Sequence, residues 1–146
     1  MPNKATIPYF AYGMNLDIEA MIVRCPGCIP RYRATLMNYR LVFRGVASIE
    51  YAVGYRVHGA FYLLYKENLT ALDRLEGYPS FYTRRIMPIQ TICKPYRTEA
   101  WAYIMNTECR PYSPPSIGYL RTIVNGCHLW GIPEHYENEL IQTAGR

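Results

Sequence analysis

The sequence predicts an α+β fold in which a small β-barrel, mixed or antiparallel, is flanked by helices. Strand-like segments dominate the chain up to residue 105, short helical segments interrupt them, and the remaining residues are mostly helical. This grouping is typical of α+β proteins and disfavours the alternating β-α-β units of a nucleotide-binding parallel sheet. The length of 146 residues suits one core. We therefore expect a single domain over residues 1–146.

The first predicted strand leads into a helix through the stretch YFAYGMNLD, residues 9–17. Residues Ile7–Tyr12 form an apolar run of strand length that ends at Gly13. After Asp17, the three- and four-residue spacing of a helix is seen at Ile18, Met21, Ile22 and Cys25. The glycine turn has two interpretations. It either only ends the strand, because Gly reaches backbone angles closed to other residues, or it has a functional role.

The middle of the chain is predicted to be largely β-structure. Apolar and polar residues alternate over Ala34–Arg44. They alternate again over Val53–Tyr65, and this second segment reads as one long strand or a bent pair. A short helix is predicted over Asn68–Glu76. Two further strands are predicted at Tyr82–Ile92 and Glu99–Met105.

Two helices are predicted to complete the chain. The segment SPPS, residues 113–116, is a helix-start signal, because proline is tolerated in the first turn. Gly126 is the predicted end of this helix. The last helix is predicted to start at Pro133 and to carry Tyr136, Leu140 and Ile141.

Composition and charge exclude several classes of protein. The net charge is +5, but the basic residues are scattered, so we expect no nucleic-acid partner. The longest apolar run, Gly59–Tyr65, is far shorter than the roughly 20 residues of a membrane helix. The N-terminus lacks the apolar core of a signal peptide. We therefore expect a cytoplasmic protein that does not bind membranes.

The cysteines and histidines do not form a recognisable metal site. The five cysteines are an odd number, which favours reduced, mostly buried thiols. Cys25 and Cys28 have C-x-x-C spacing, but a zinc site would need a second pair and a thioredoxin-like site would need a β-α-β context. His58, His128 and His135 show no ligand spacing. We expect no metal.

Glu76 is the most informative candidate for catalysis. It falls on the same helical face as Leu69 and Leu72, which must face the core. Desolvation and the negative end of the helix should both raise its pKa. A carboxylate with a raised pKa suits general acid–base chemistry near neutral pH. The alternative is that Glu76 turns to solvent, or pairs with Arg84 or Arg85.

Three segments together resemble the signature regions of the γ-glutamylcyclotransferase family. They are YFAYGMNL (9–16), LDRLEGYPSFYTRR (72–85) and SPPSIGYLRTIVNG (113–126), in the family's order and at suitable separations. RCP (24–26) and YRLVFRG (39–45) also look like family segments, so the resemblance covers nearly the whole chain. It implies a compact mixed α/β fold around a small barrel.

The resemblance also implies a reaction and its site. The α-amine of a γ-glutamyl compound attacks its own γ-carbonyl, releasing 5-oxoproline and a free amine or amino acid, with no metal or organic cofactor. Glu76 would be the catalytic acid/base, and Tyr119 would contact the substrate. Tyr82, which follows Glu76 closely, is a possible pocket residue. The substrate-binding loop would comprise Tyr9, Phe10, Ala11, Tyr12, Gly13, Met14 and Asn15.

Met14 leaves a second interpretation open. The family usually has Ser at this position, so substrate preference is not fixed by the resemblance. Because the turn can present backbone N–H groups to the α-carboxylate and to the oxyanion, Met14 need not abolish binding. The alternative is a catalytically silent module that binds a γ-glutamyl-like or other anionic metabolite.

Overall fold

The computed structural model describes residues 4–145 as a closed barrel of strand order β1-β3-β2-β4-β5 with helices packed outside it. All neighbouring strands pair antiparallel except β1 and β5, which are parallel and close the barrel. The predicted α+β fold with a small barrel is confirmed. The strands are β1 Ile7–Ala11, β2 Ile29–Arg44, β3 Val46–Leu64, β4 Tyr82–Thr91 and β5 Arg97–Met105. The helices are a 3₁₀ turn at Met14–Leu16, α1 Ile18–Arg24, α2 Lys66–Glu76, α3 Ile117–Trp130 and α4 Glu134–Ala144.

Strands β2 and β3 form a hairpin longer than the sequence pattern predicted. They begin at Ile29 and Val46, whereas alternation placed their starts at Ala34 and Val53. The register between the two strands shifts where Gly54 N–H donates to Oδ1 of Asn38 (3.2 Å). Val53 lies at this irregularity and is 71% exposed. The alternation of apolar and polar residues around Val53 therefore does not mean that its side chain faces the core.

Strand β1 lies in the core because its neighbour β3 has a glycine at their closest approach. A Cβ on Gly59 would lie 2.3 Å from the carbonyl oxygen of Ala11 and 2.7 Å from Cζ of Phe10. Phe10 is fully buried as a result. Any larger residue at position 59 would push β1 away from β3.

Helices α1 and α2 follow the sequence pattern with one exception. The side chain of Asp17 caps α1 by accepting a hydrogen bond from the backbone N–H of Ala20 (3.2 Å). Met21 is buried in α1 as predicted, but Ile22 is 48% exposed because it lies off the face that contacts the core. Helix α2 ends at Glu76, where Gly77 takes the left-handed conformation (φ 65°) that terminates helices.

Helix α3 continues past its predicted end. It reaches Trp130 and is capped by Gly131 (φ 66°), so the prediction that Gly126 ends the helix is wrong. Gly126 is instead buried against the 3₁₀ turn, where a Cβ would lie only 2.4 Å from Cβ of Leu16. Helix α4 follows Pro133 as predicted. Within residues 4–145 no helix combines the length and apolarity that crossing a bilayer requires.

Candidate active site

Most of the predicted site residues converge on one cavity of about 220 Å³. It lies where β1 and β5 end and β4 begins. The predicted residues that line it are Tyr9, Tyr12, Gly13, Met14, Asn15, Glu76, Tyr82 and Tyr119. The residues that line it without having been predicted are Arg24, Val46, Ala47, Leu75, Phe81 and Tyr103.

Phe10 and Ala11, predicted as part of the binding loop, do not line this cavity. Both are buried, and both lie against Gly59 of β3. Their side chains therefore support the barrel behind the site.

Glu76 is partly buried at the cavity wall, as the last residue of α2. Its carboxylate makes no hydrogen bond or ion pair with any side chain or backbone group of residues 4–145. Burial raises its pKa from the usual 4.5 to about 7, and the positive charge of Arg24 opposes this rise. The carboxylate can therefore take up and release a proton near neutral pH.

The alternative pairing of Glu76 with Arg84 or Arg85 does not occur. Arg84 donates from Nε to Oδ1 of Asp73 (2.9 Å), and Arg85 is exposed. The guanidinium of Arg84 also stacks on the ring of Trp101, 4.4 Å from its centroid. Arg84, the basic residue of β4 nearest in sequence to Glu76, is thus already paired with Asp73.

The loop after β1 presents unpaired backbone donors. The N–H groups of Leu16 and Asp17 are bonded to the carbonyl oxygens of Gly13 and Met14 (3.0 and 3.1 Å). The preceding N–H groups, of Gly13, Met14 and Asn15, have no acceptor among residues 4–145, as is usual in the first turn of a helix. All three residues line the cavity.

Gly13 is not needed for a left-handed backbone angle. Its φ is −112°, so the turn does not use the left-handed region that glycine reaches more readily than other residues. A Cβ at this position would lie 3.5 Å from the hydroxyl oxygen of Tyr119 and 3.5 Å from Cβ of Ala47. The absence of a side chain instead keeps the space beside the Tyr119 hydroxyl open.

Asn15 holds the loop in place through both ends of its amide. Its Nδ2 donates to the hydroxyl of Tyr9 (2.9 Å), and its Oδ1 accepts from Nη1 of Arg24. Its backbone carbonyl accepts from the hydroxyl of Tyr62 (3.0 Å). Because Asn15 is only 5% exposed, this network fixes the three unpaired N–H groups relative to the barrel.

The cavity tyrosines stay neutral and differ in whether their protons are free. Burial raises the pKa of Tyr119 to about 12, and it raises those of Tyr9 and Tyr82 as well. The hydroxyl of Tyr82 donates to the carbonyl of Ala47 (2.6 Å). The hydroxyl of Tyr119 instead accepts from the Ala47 N–H (2.9 Å), so its proton has no acceptor in the described part of the chain. Tyr119 can therefore donate to a ligand.

Arg24 is the main site residue that the sequence did not reveal. It is the last residue of α1, and a basic residue there is also what the helix dipole favours. Its position at the cavity depends on how α1 packs against the barrel. The only signal in the sequence was its place in the RCP segment.

The other cysteine and histidine candidates lie outside the cavity. Cys25 and Cys28 are buried and unbridged, and burial raises the pKa of the Cys25 thiol to about 12. His58 lies beside Thr35 (Nδ1 to Oγ1, 3.2 Å), and burial lowers its pKa to about 4. Across residues 4–145, no cluster of His, Cys, Asp or Glu could hold a metal ion.

Comparison with known proteins finds a family match over most of the chain. The family model described as gamma-glutamyl cyclotransferase, AIG2-like, matches residues 9–121, a range that includes every cavity residue. Human gamma-glutamylcyclotransferase is 29% identical over 152 residues, covering 95% of this chain and 79% of that protein. The bovine protein of the same name is 28% identical over 151 residues, covering 90% and 76%. A solved structure named gamma-glutamyl cyclotransferase aligns with a TM-score of 0.84 at 26% identity, covering 93% of this chain and 86% of that one.

Proposed function

The chain belongs to the gamma-glutamyl cyclotransferase, AIG2-like family, and from this premise we propose that it cyclises γ-glutamyl amines or γ-glutamyl amino acids to 5-oxoproline. The α-amine nitrogen bonds to the γ-carbonyl carbon, and the bond from that carbon to the leaving nitrogen breaks. The α-nitrogen loses two protons on going from ammonium to lactam N–H, and the leaving nitrogen gains two, so that the amine is released as an ammonium. The observation that carries the proposal is a half-buried, unpaired Glu76 carboxylate in the same cavity as unpaired backbone donors.

Glu76 is the proposed acid/base for both proton transfers. The ammonium must lose one proton before its nitrogen can attack and a second after it has bonded to the carbonyl carbon, and the departing nitrogen must gain a proton as its bond to that carbon breaks. A carboxylate with a pKa of about 7 can take the first proton and return it to the leaving group. Because amine and carbonyl belong to one molecule, the enzyme mainly selects the curled conformer, and a single acid/base suffices.

The loop after β1 is the proposed site of the oxyanion. The developing negative charge on the γ-carbonyl oxygen needs fixed donors in a water-poor cavity. The N–H groups of Gly13, Met14 and Asn15 and the hydroxyl of Tyr119 are unpaired donors that belong to residues lining it. Since three of these donors belong to the backbone, Met14 keeps its N–H, and its longer side chain affects the shape of the cavity.

A panel of γ-glutamyl amino acids, γ-glutamyl amines and glutathione tests the function. We expect 5-oxoproline to be released from at least one of these classes at a rate proportional to enzyme concentration. If some members bind but none is converted, the enzyme proposal fails and the silent binding module replaces it. The unpaired Glu76 carboxylate favours the enzyme, because a site that only binds anions gains nothing from a buried negative charge.

The pH dependence of kcat/KM should report Glu76. Only the ionised carboxylate can accept the ammonium proton, so kcat/KM should rise with pH and its acid limb should have a midpoint near 7. The cavity tyrosines have raised pKa values and stay neutral in this range. The measurement is kcat/KM in overlapping buffers on the preferred substrate. An acid limb near 4.5, the usual value for Glu, would contradict a desolvated Glu76.

A further inference from the structure

Arg24 brings a partly unused guanidinium to the cavity. Its Nη1 donates to Oδ1 of Asn15, but its Nε and Nη2 have no acceptor among residues 4–145. A guanidinium has five N–H donors in a planar fork that matches the two oxygens of a carboxylate. The side chain is half-buried, so the remaining donors are partly shielded from water, which strengthens their hydrogen bonds to a carboxylate.

Arg24 and Glu76 are the only charged side chains among the described residues that line the cavity. The positive charge of Arg24 is close enough to oppose the rise in the pKa of Glu76, but no ion pair joins the two side chains. The cavity therefore presents one positive and one negative group that do not neutralise each other directly. The α-carbon of a γ-glutamyl group carries the complementary pair, an ammonium and a carboxylate.

We infer that Arg24 binds the α-carboxylate of the γ-glutamyl group while Glu76 faces its ammonium, so that the two side chains together hold the amino acid end of the substrate. This inference rests on the proposed function and adds a specificity-determining residue to it. It also assigns different parts of the substrate to different donors. With the carboxylate on Arg24, the N–H groups of Gly13, Met14 and Asn15 are left for the γ-oxyanion.

A purely structural role for Arg24 makes a different prediction. If Arg24 only fixed the loop through Asn15, its loss would weaken binding of every ligand by the same factor. If it contacts the α-carboxylate, its loss weakens ligands that have this group more than ligands that lack it. The test must therefore vary the ligand as well as the protein.

The ligand pair is 5-oxoproline and 2-pyrrolidinone, which differ only in the carboxylate. Dissociation constants are measured by titration calorimetry or ligand-observed NMR for the wild type, Arg24→Gln and Arg24→Lys. Arg31→Gln is the matched control, because Arg31 is an exposed arginine that stacks on Tyr32 outside the cavity. In the wild type, the NMR resonance of the Arg24 Nε–H is also followed during both titrations. This measurement does not depend on any variant being able to fold.

We expect Arg24→Gln to weaken 5-oxoproline binding about 10- to 100-fold more than it weakens 2-pyrrolidinone binding, the effect of losing a charge-assisted hydrogen bond to the carboxylate. Arg24→Lys should retain part of the preference, and Arg31→Gln should retain all of it. The Nε–H resonance should shift with 5-oxoproline alone. Equal losses for both ligands, or a resonance that shifts equally with both, would overturn the inference.

The same measurements separate this inference from the proposed function. Binding is read without turnover, so a carboxylate preference that depends on Arg24 stands even if the γ-glutamyl panel yields no 5-oxoproline. Conversely, turnover with no such preference refutes the role of Arg24 and leaves the cyclisation intact. A wild type that binds neither ligand overturns the inference outright.

Discussion

Replacing Glu76 by Gln is expected to lower kcat/KM by about 10²- to 10⁴-fold, the usual contribution of a general acid–base group. The amide cannot take the proton from the substrate ammonium, and Glu76 is the only carboxylate among the described residues that line the cavity. Ligand binding should persist, because Gln has nearly the same shape. Steady-state kinetics combined with 5-oxoproline binding measures both effects.

The same substitution should make the protein more stable at pH 8. The folded-state pKa of Glu76 is raised from 4.5 to about 7, so ionising this group favours the unfolded chain. Below about pH 4.5 the carboxyl is protonated in both states and costs nothing; the penalty grows as pH rises and is complete above about pH 7. After allowance for partial exposure, we expect Glu76→Gln to raise the free energy of unfolding by about 1–3 kcal/mol at pH 8.

A surface carboxylate on the same helix provides the control for both effects. Glu67 lies in the first turn of α2, is exposed, and pairs with Lys4. Glu67→Gln should leave turnover unchanged and should not stabilise the protein at pH 8. Urea denaturation at pH 4 and pH 8 gives the comparison. Full turnover by Glu76→Gln would refute the proposed mechanism, whatever its stability.

Replacing Gly126 by Ala is expected to destabilise the protein by about 1–3 kcal/mol, although Ala is favoured over Gly within helices by about 1 kcal/mol. The added Cβ would lie 2.4 Å from Cβ and 2.8 Å from the carbonyl carbon of Leu16. Because the second atom belongs to the backbone, the 3₁₀ turn itself must move. Trp130 Nε1 also donates to the carbonyl of Leu16 (2.8 Å), so α3 and the turn are joined at two points.

Activity should fall together with stability in Gly126→Ala. The turn carries the N–H groups of Gly13, Met14 and Asn15, and a displacement of about 1 Å of such donors can cost about 100-fold in rate. Gly118→Ala is the matched control on the same helix, since a Cβ there meets nothing within 4 Å. It should stabilise the protein by about 0.5–1 kcal/mol and keep full activity. Wild-type stability and activity in Gly126→Ala would show that α3 does not position the turn.

Glu76 could be found from the sequence because every signal that marks it is local. The helical spacing from Leu69 and Leu72 and the following Gly77 fix both its face and its position at the helix end. Burial and a raised pKa follow from these facts and from the requirement that the leucines face the core. The structure decides against the alternatives, because Glu76 is neither turned fully to solvent nor paired with Arg84 or Arg85.

Gly126 was misassigned because its role depends on a contact distant in sequence. A glycine near the end of a helical pattern is a common helix stop, and nothing local distinguishes it from a glycine that admits Leu16. Arg24 escaped notice for a similar reason, since its approach to Glu76 requires α1 and α2 to pack beside the same cavity. Periodicity identifies the face of a helix but does not identify what will lie against it.

Cyclisation in water labelled with ¹⁸O tests the central claim most directly. In intramolecular aminolysis the γ-carbonyl keeps its own oxygen, and water does not enter the product. Mass spectrometry of the preferred γ-glutamyl substrate after turnover should show unlabelled 5-oxoproline and one equivalent of free amine. Glutamate carrying one ¹⁸O would show hydrolysis of the γ-amide bond and would contradict cyclisation at this site.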